Sequence, residues 1–186
     1  MPKIGFVTCV ELGLSCMKAI VDGGARISMA VTLTDTQAIN KSGRIFLDDF
    51  CRDKNIPLIK SRHVNDQAVQ EAIVEYQIDW LFIIGWSQIA SNELLARPSK
   101  GVIGAHPTLL PIGRGRAAIP WAIIKGLPET GVTLFKLDQG VDTGPIIEQV
   151  KIPLDCTISA TELYEMVNKA HVQLIAKALP NILSGN

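Results

Sequence analysis

The chain has 186 residues, close to one domain at the usual size of about 150, and is long enough to bury a core without disulfides or a structural metal. Hydrophobic residues make up 47% and charged residues 19%, which excludes disordered and fibrous chains. Eighteen basic residues balance eighteen acidic ones and aromatics are few, so there is no strong nucleic-acid signal.

The cysteines, Cys9, Cys16, Cys51 and Cys156, lack the paired short spacing of a zinc site or a redox dithiol, and all four read as reduced, buried thiols. No metal is expected. The longest apolar run, Trp80 to Trp86, is too short for a bilayer, and Glu11 interrupts any signal-like start. A soluble, cytoplasmic protein of one domain, residues 1–186, follows as the expectation.

Lys3 to Val10 reads as a strand, and Leu14, Met17 and Val21 then recur at helical spacing up to Gly23-Gly24. Ala25 to Leu33 is a second strand. The polar stretch Thr34 to Ser42 leads to a helix expected from Phe46 and Phe50 at i, i+4, and Pro57 to Lys60 is a short third strand. Asn65 or Asp66 caps a helix with Val69, Ala72, Ile73 and Tyr76 on one face, followed by a buried strand from Asp79 to Ile84. This βαβαβαβ order implies a Rossmann-like, mostly parallel sheet with helices on both faces. Ligands then gather at the carboxyl ends of the strands.

Gly101 to His106 continues the sheet, Ile119 to Lys125 forms a helix, and Gly131 to Leu137 and Pro145 to Ile152 form two more strands. The last helix opens on the capping box Ser159-Ala-Thr-Glu162, carries Leu163, Val167, Ala170 and Leu174, and is expected to stop at Pro180. There is no repeat and no second domain.

The turn Thr8 to Gly13 lacks the glycine spacing that cradles a pyrophosphate, and no P-loop occurs. His106 stands out because it ends a buried strand and opens a turn-rich segment; it reads equally as a proton-transfer group and as a buried imidazole bonded to backbone. Asp142, in Gly-Val-Asp-Thr-Gly-Pro, could orient an imidazole or merely serve loop amides. His63 and His171 read as surface or structural groups, Trp121 as core, and Arg114 and Arg116 as solvated.

Four motifs in order, Gly104-Ala-His106-Pro-Thr-Leu-Leu-Pro111, Arg114-Gly115, Gly131-Val-Thr133 and Val141-Asp142-Thr-Gly144, closely resemble the folate-dependent formyltransferase family across essentially the whole chain. Glu11-Leu-Gly13 and Gly43 look most like the sugar N-formyltransferases and the catalytic domain of methionyl-tRNA formyltransferase. The resemblance implies an enzyme that moves a formyl group from 10-formyltetrahydrofolate, as co-substrate, to a primary amine without a metal. His106 would stabilise the oxyanion and move a proton, and Asp142 would hold or charge the imidazole. The pterin would lie against Trp86, Ser87, Gln88 and Ile89 and against Asp138, Gln139, Gly140 and Val141. The amine would approach from Thr8, Glu11 and Gly13, with Thr108 and Arg114 also on the substrate side.

Two positions depart from the family pattern. Gly104 stands where most relatives carry the Asn that helps polarise the formyl oxygen, a loss that a water in the space left or a different substrate group would compensate, and Phe135 stands where many carry His. A hydrolase domain of the family shares both departures, which raises 10-formyltetrahydrofolate hydrolysis, or a non-catalytic folate-binding module, as alternatives. Glu11 disfavours a phosphorylated glycinamide acceptor by repulsion. The tRNA enzyme carries a second, C-terminal domain, which is not expected here. A small amine, such as an amino sugar on a nucleotide, is the acceptor expected; oligomeric state stays open.

Overall fold

The structure is a computed structural model that describes residues 1–37, 39 and 42–184; Ala38, Asn40 and Lys41 of the expected polar stretch, and the last two residues, lie outside it. In chain order the elements are β1 (Ile4–Val7), α1 (Glu11–Asp22), β2 (Ile27–Leu33), α2 (Asp48–Asp53), β3 (Leu58–Ser61), α3 (Gln67–Glu75) and β4 (Trp80–Ile83). They continue with α4 (Asn92–Leu95), β5 (Gly101–His106), α5 (Ala118–Ile124), β6 (Glu129–Lys136), β7 (Ile146–Pro153) and α6 (Ala160–Ser184).

The strands form one sheet in the order β3-β2-β1-β4-β5-β6-β7, with β1 to β5 parallel and β6 and β7 antiparallel. Period-two alternation sends neighbouring side chains to opposite faces. Ile4, Phe6 and Phe82 pack with Met17 and Ile20 of α1 and with Leu163, Val167 and Leu174 of α6. Val7, Leu81 and Ile83 pack on the other face with Val69 and Ile73 of α3 and Leu94 of α4. Helices therefore cover both faces of a mostly parallel sheet, as the alternation of elements implied. None of the helices among the described residues is long and apolar enough to cross a membrane.

Four local expectations are corrected. The Phe46–Phe50 helix shrinks to Asp48–Asp53, because Arg44 pairs as an isolated bridge with Val10 and the Ile45 amide bonds to the Cys9 carbonyl; Phe46 is left outside the helix, 64% exposed beneath the Arg44 guanidinium. Pro180 does not stop α6, which runs through it to Ser184 while Leu179 and Ile182 remain buried against the core. Trp121 is half exposed rather than core, since α5 turns Ile119 and Ala122 inward instead. Cys156 is exposed, whereas Cys9, Cys16 and Cys51 are buried.

The cap of α3 also differs in detail. Asp66 is the N-cap residue, but its side chain does not bond to the helix; the carboxylate accepts from the Ser61 hydroxyl and the Arg62 and His63 amides, which hold it below the usual carboxylate range. The capping box of α6 forms as expected, with the Glu162 amide donating to Ser159 Oγ at 3.3 Å and the Ser159 amide donating to Glu162 Oε2 at 2.9 Å.

Candidate active site

Strand β5 delivers His106 to its carboxyl end, where the residue is 8% exposed. Its Nε2 lies 2.8 Å from the Gly113 carbonyl oxygen. A carbonyl can only accept, so Nε2 carries a proton and Nδ1 is the nitrogen left to take one up or release it. Gly113 reaches this position with φ +75°, and a Cβ there would come within 2.8 Å of Thr108 Cγ2. The backbone conformation and the close approach both call for glycine.

Nδ1 lies 3.6 Å from Asp142 Oδ2. That gap exceeds a normal N–H···O bond but leaves the carboxylate facing Nδ1. Asp142 is itself pinned: Oδ2 accepts from the Gly115 amide at 2.8 Å, and Arg114 Nε donates to its carbonyl at 2.9 Å. Its φ of 53° is left-handed, a conformation aspartate tolerates better than most residues.

Register explains why Asp142 needs a long excursion to get there. His106 pairs with Thr133, three residues before the end of β6 at Lys136, so the β6–β7 connection starts about 10 Å back along the sheet. It returns along the face of β5, with Leu137 lying over Gly104 and its amide bonded to the Val102 carbonyl. The expectation that Gly104 leaves room for a water is thereby overturned. A Cβ on Gly104 would meet Leu137 Cδ2 at 2.6 Å, so an apolar side chain fills the space. Phe135 pairs with Gly104 across β5–β6 and is fully buried.

The structure distributes the other sequence candidates over neighbouring turns. Thr8 is buried at the end of β1, Glu11 is exposed in the first turn of α1, and Gly13 lies so close to the Thr8 hydroxyl that a Cβ would overlap it. Thr108 is 8% exposed, and its hydroxyl is buried without a partner among the described residues. Trp86 donates from its indole to Gln88 Oε1, which also accepts from the Val64 amide, while Gln88 Nε2 donates to the Arg62 carbonyl. Gln88 is thus committed to stitching two loops together. Ser87 and Ile89 are exposed beside it. Asp138 Oδ1 accepts from the Gly140 amide and the Thr143 hydroxyl, shaping a loop in which Gln139 and Val141 are exposed.

The remaining histidines have structural partners. His63 Nδ1 accepts from the Asn65 amide, and His171 is buried in α6 with Nδ1 bonded to the Val167 carbonyl at 2.7 Å. Burial drives the His171 pKa down from 6.5 to about 4. No cluster of three metal-ligating side chains occurs among the described residues. Sequence reading missed the Gly113 carbonyl and the Gly115 amide, which are backbone groups with no residue-type signature; the Gly-Arg-Gly turn is their only trace.

Residues 24–179 match the family model described as formyl transferase. The chain belongs to the formyl transferase family. Members of this family are one-carbon group transferases. The chain is 31% identical over 186 residues to methionyl-tRNA formyltransferase of Clostridioides difficile, covering 99% of this chain and 60% of that protein. It therefore spans about three-fifths of the length of the curated relatives it matches. Among solved structures, phosphoribosylglycinamide formyltransferase from Streptococcus pneumoniae superposes with a TM-score of 0.84 at 20% identity, covering 98% of this chain and 99% of that one. An N-formyltransferase from Helicobacter canadensis, solved with folinic acid and dTDP-3-aminofucose, superposes at 0.77 and 20% identity, covering all of this chain and 65% of that one. These two likenesses establish the formyltransferase fold.

Proposed function

We propose that this chain transfers a formyl group from 10-formyltetrahydrofolate to a primary amine of a small acceptor, with a nucleotide-linked amino sugar as the acceptor class. The observation that carries the reading is the meeting of His106 and Asp142, 36 positions apart in sequence, with Nδ1 and Oδ2 3.6 Å apart. Amine attack on the formyl carbon puts negative charge on oxygen and leaves a surplus proton on nitrogen. Since Nε2–H is held by Gly113, Nδ1 handles both: it accepts the amine proton beside the Asp142 carboxylate, and the N–H so formed faces the developing oxyanion as a donor. The same proton then leaves with the folate nitrogen as the carbon–nitrogen bond to it breaks.

Gly104 offers no donor to the formyl oxygen, and Leu137 closes that corner to solvent. The unpaired Thr108 hydroxyl suits a ligand polar group, and the exposed Ile89 and Val141 suit the flat faces of a pterin. The 86–89 and 138–141 segments are proposed to hold the folate, and Thr8, Glu11, Gly13 and Arg114 to face the acceptor. Zero net charge favours a small acceptor over tRNA.

Incubation with 10-formyltetrahydrofolate and a panel comprising an amino-sugar nucleotide, glycinamide ribonucleotide and charged initiator tRNA tests the proposal. Formyl transfer to the amino-sugar nucleotide, lost on His106→Ala and strongly reduced on Asp142→Asn, is the expected result. Tetrahydrofolate released at full rate with no acceptor present would replace transfer by hydrolysis. Turnover confined to tRNA would overturn the acceptor class.

A further inference from the structure

The segment that follows His106 is held by two side chains of the antiparallel strands, whose hydrogen bonds go to its backbone and to each other. Thr133 pairs with His106 in the β5–β6 register, and Gln149 pairs with Thr133 in β6–β7. The buried Thr133 hydroxyl donates to the Thr108 carbonyl at 2.7 Å, and accepts from the Leu110 amide at 3.1 Å and from Gln149 Nε2 at 2.8 Å. Its one donor and two lone pairs are all used. Gln149 Nε2 gives its second proton to the Leu110 carbonyl at 2.8 Å.

Three backbone groups between residues 108 and 110 are therefore fixed in the middle of a segment whose ends, His106 and Gly113, bond to each other. Thr108 also touches Gly113, where no Cβ would fit, so displacing the Thr108 carbonyl displaces the carbonyl that meets Nε2. Which nitrogen of a neutral imidazole holds the proton is set by what its other nitrogen meets.

We propose that Thr133 and Gln149 are positioning residues that fix the Nε2–H tautomer of His106, acting through the Thr108–Gly113 segment and keeping Nδ1 free for the proton that the reaction moves. The kinetic consequence rests on the formyl-transfer reading; the tautomer itself does not.

Thr133→Val removes the hydroxyl with little change of shape, Thr133→Ser restores it, and Gln149→Leu removes the second donor. A long-range proton–nitrogen correlation spectrum of the three histidine rings, with His106 assigned by its loss in His106→Gln, reads the tautomer directly. Wild type and Thr133→Ser should show Nε2–H alone, whereas Thr133→Val and Gln149→Leu should show mixed or Nδ1–H rings. In transfer assays kcat should fall about tenfold or more with KM for the folate within about twofold, and Thr133→Ser should recover most of the loss. Gln149→Leu decides the matter if Thr133→Val does not fold. A lowered melting temperature with an unchanged ring spectrum and unchanged kcat would overturn the proposal. Should wild type show no formyl chemistry at all, the functional reading fails while the spectrum still judges the clamp.

Discussion

A double-mutant cycle at Gly104 and Leu137 tests the packing of Leu137 over Gly104. Adding a methyl group at Gly104 places its carbon 2.6 Å from Leu137 Cδ2 and 3.2 Å from Cγ. Carbon pairs prefer about 3.5–4.0 Å, so the overlap approaches an ångström. The Leu137 side chain has to turn aside, while its backbone is held by the amide bond to Val102. Gly104→Ala should cost about 1–3 kcal/mol, the usual range for overpacking. Leu137→Ala should cost about 1–2 kcal/mol, below the range for full burial because the side chain is half-buried. The double variant should be about as stable as Leu137→Ala alone, giving a favourable coupling of about 1–3 kcal/mol in urea unfolding followed by tryptophan fluorescence. Additivity within about 0.5 kcal/mol would refute the claim that Leu137 fills the corner. Extending the cycle to Gly104→Asn supplies an amide donor, which is worth on the order of 100-fold in rate where it reaches an oxyanion. The gain should appear in the double variant and be weak in Gly104→Asn alone; equal rates would show that Leu137 is no obstacle.

Stability should also report on two structural residues. Burial keeps His171 neutral to about pH 4, with the Val167 carbonyl opposing that shift and nearby His106 adding to it. The unfolded chain protonates it near 6.5, so stability is full above that pH and declines as pH falls towards 4, by about 3 kcal/mol. The stability difference between wild type and His171→Leu should track this window in urea titrations at stepped pH; a constant difference would mean that the ring titrates in the folded protein as it does in the unfolded chain. Ser159→Ala breaks the capping box of α6 and should lower stability by about 1 kcal/mol, read as a drop in the unfolding midpoint.

The parallel half of the sheet was legible because strands too short to reverse on themselves alternate with amphipathic segments, and that order leaves few topologies. Phe46 and Phe50 misled because helical spacing is a local signal, while the bridge from Arg44 to Val10 is a tertiary one. Pro180 misled in the opposite way: burial of Leu179 and Ile182 outweighs one missing backbone bond. Trp121 shows that an apolar helix can turn Ile119 and Ala122 inward and leave its largest residue at the surface. At the site, His106 and Asp142 could be named as candidates because side-chain chemistry is written in the sequence. Their separation, the choice of nitrogen and the filling of the Gly104 corner depend on strand register and on backbone carbonyls, which leave no such record.

Surface connections commonly absorb inserted or deleted residues without penalty. The one between β6 and β7 has no such slack. It is moored at Leu137 to β5, gathered around Asp138 midway, and fastened at Asp142 to Gly115 and Arg114. Its residue count thus works as a measuring rod for the carboxylate: shortening it by one position would draw Asp142 out of reach of the imidazole while leaving every strand intact.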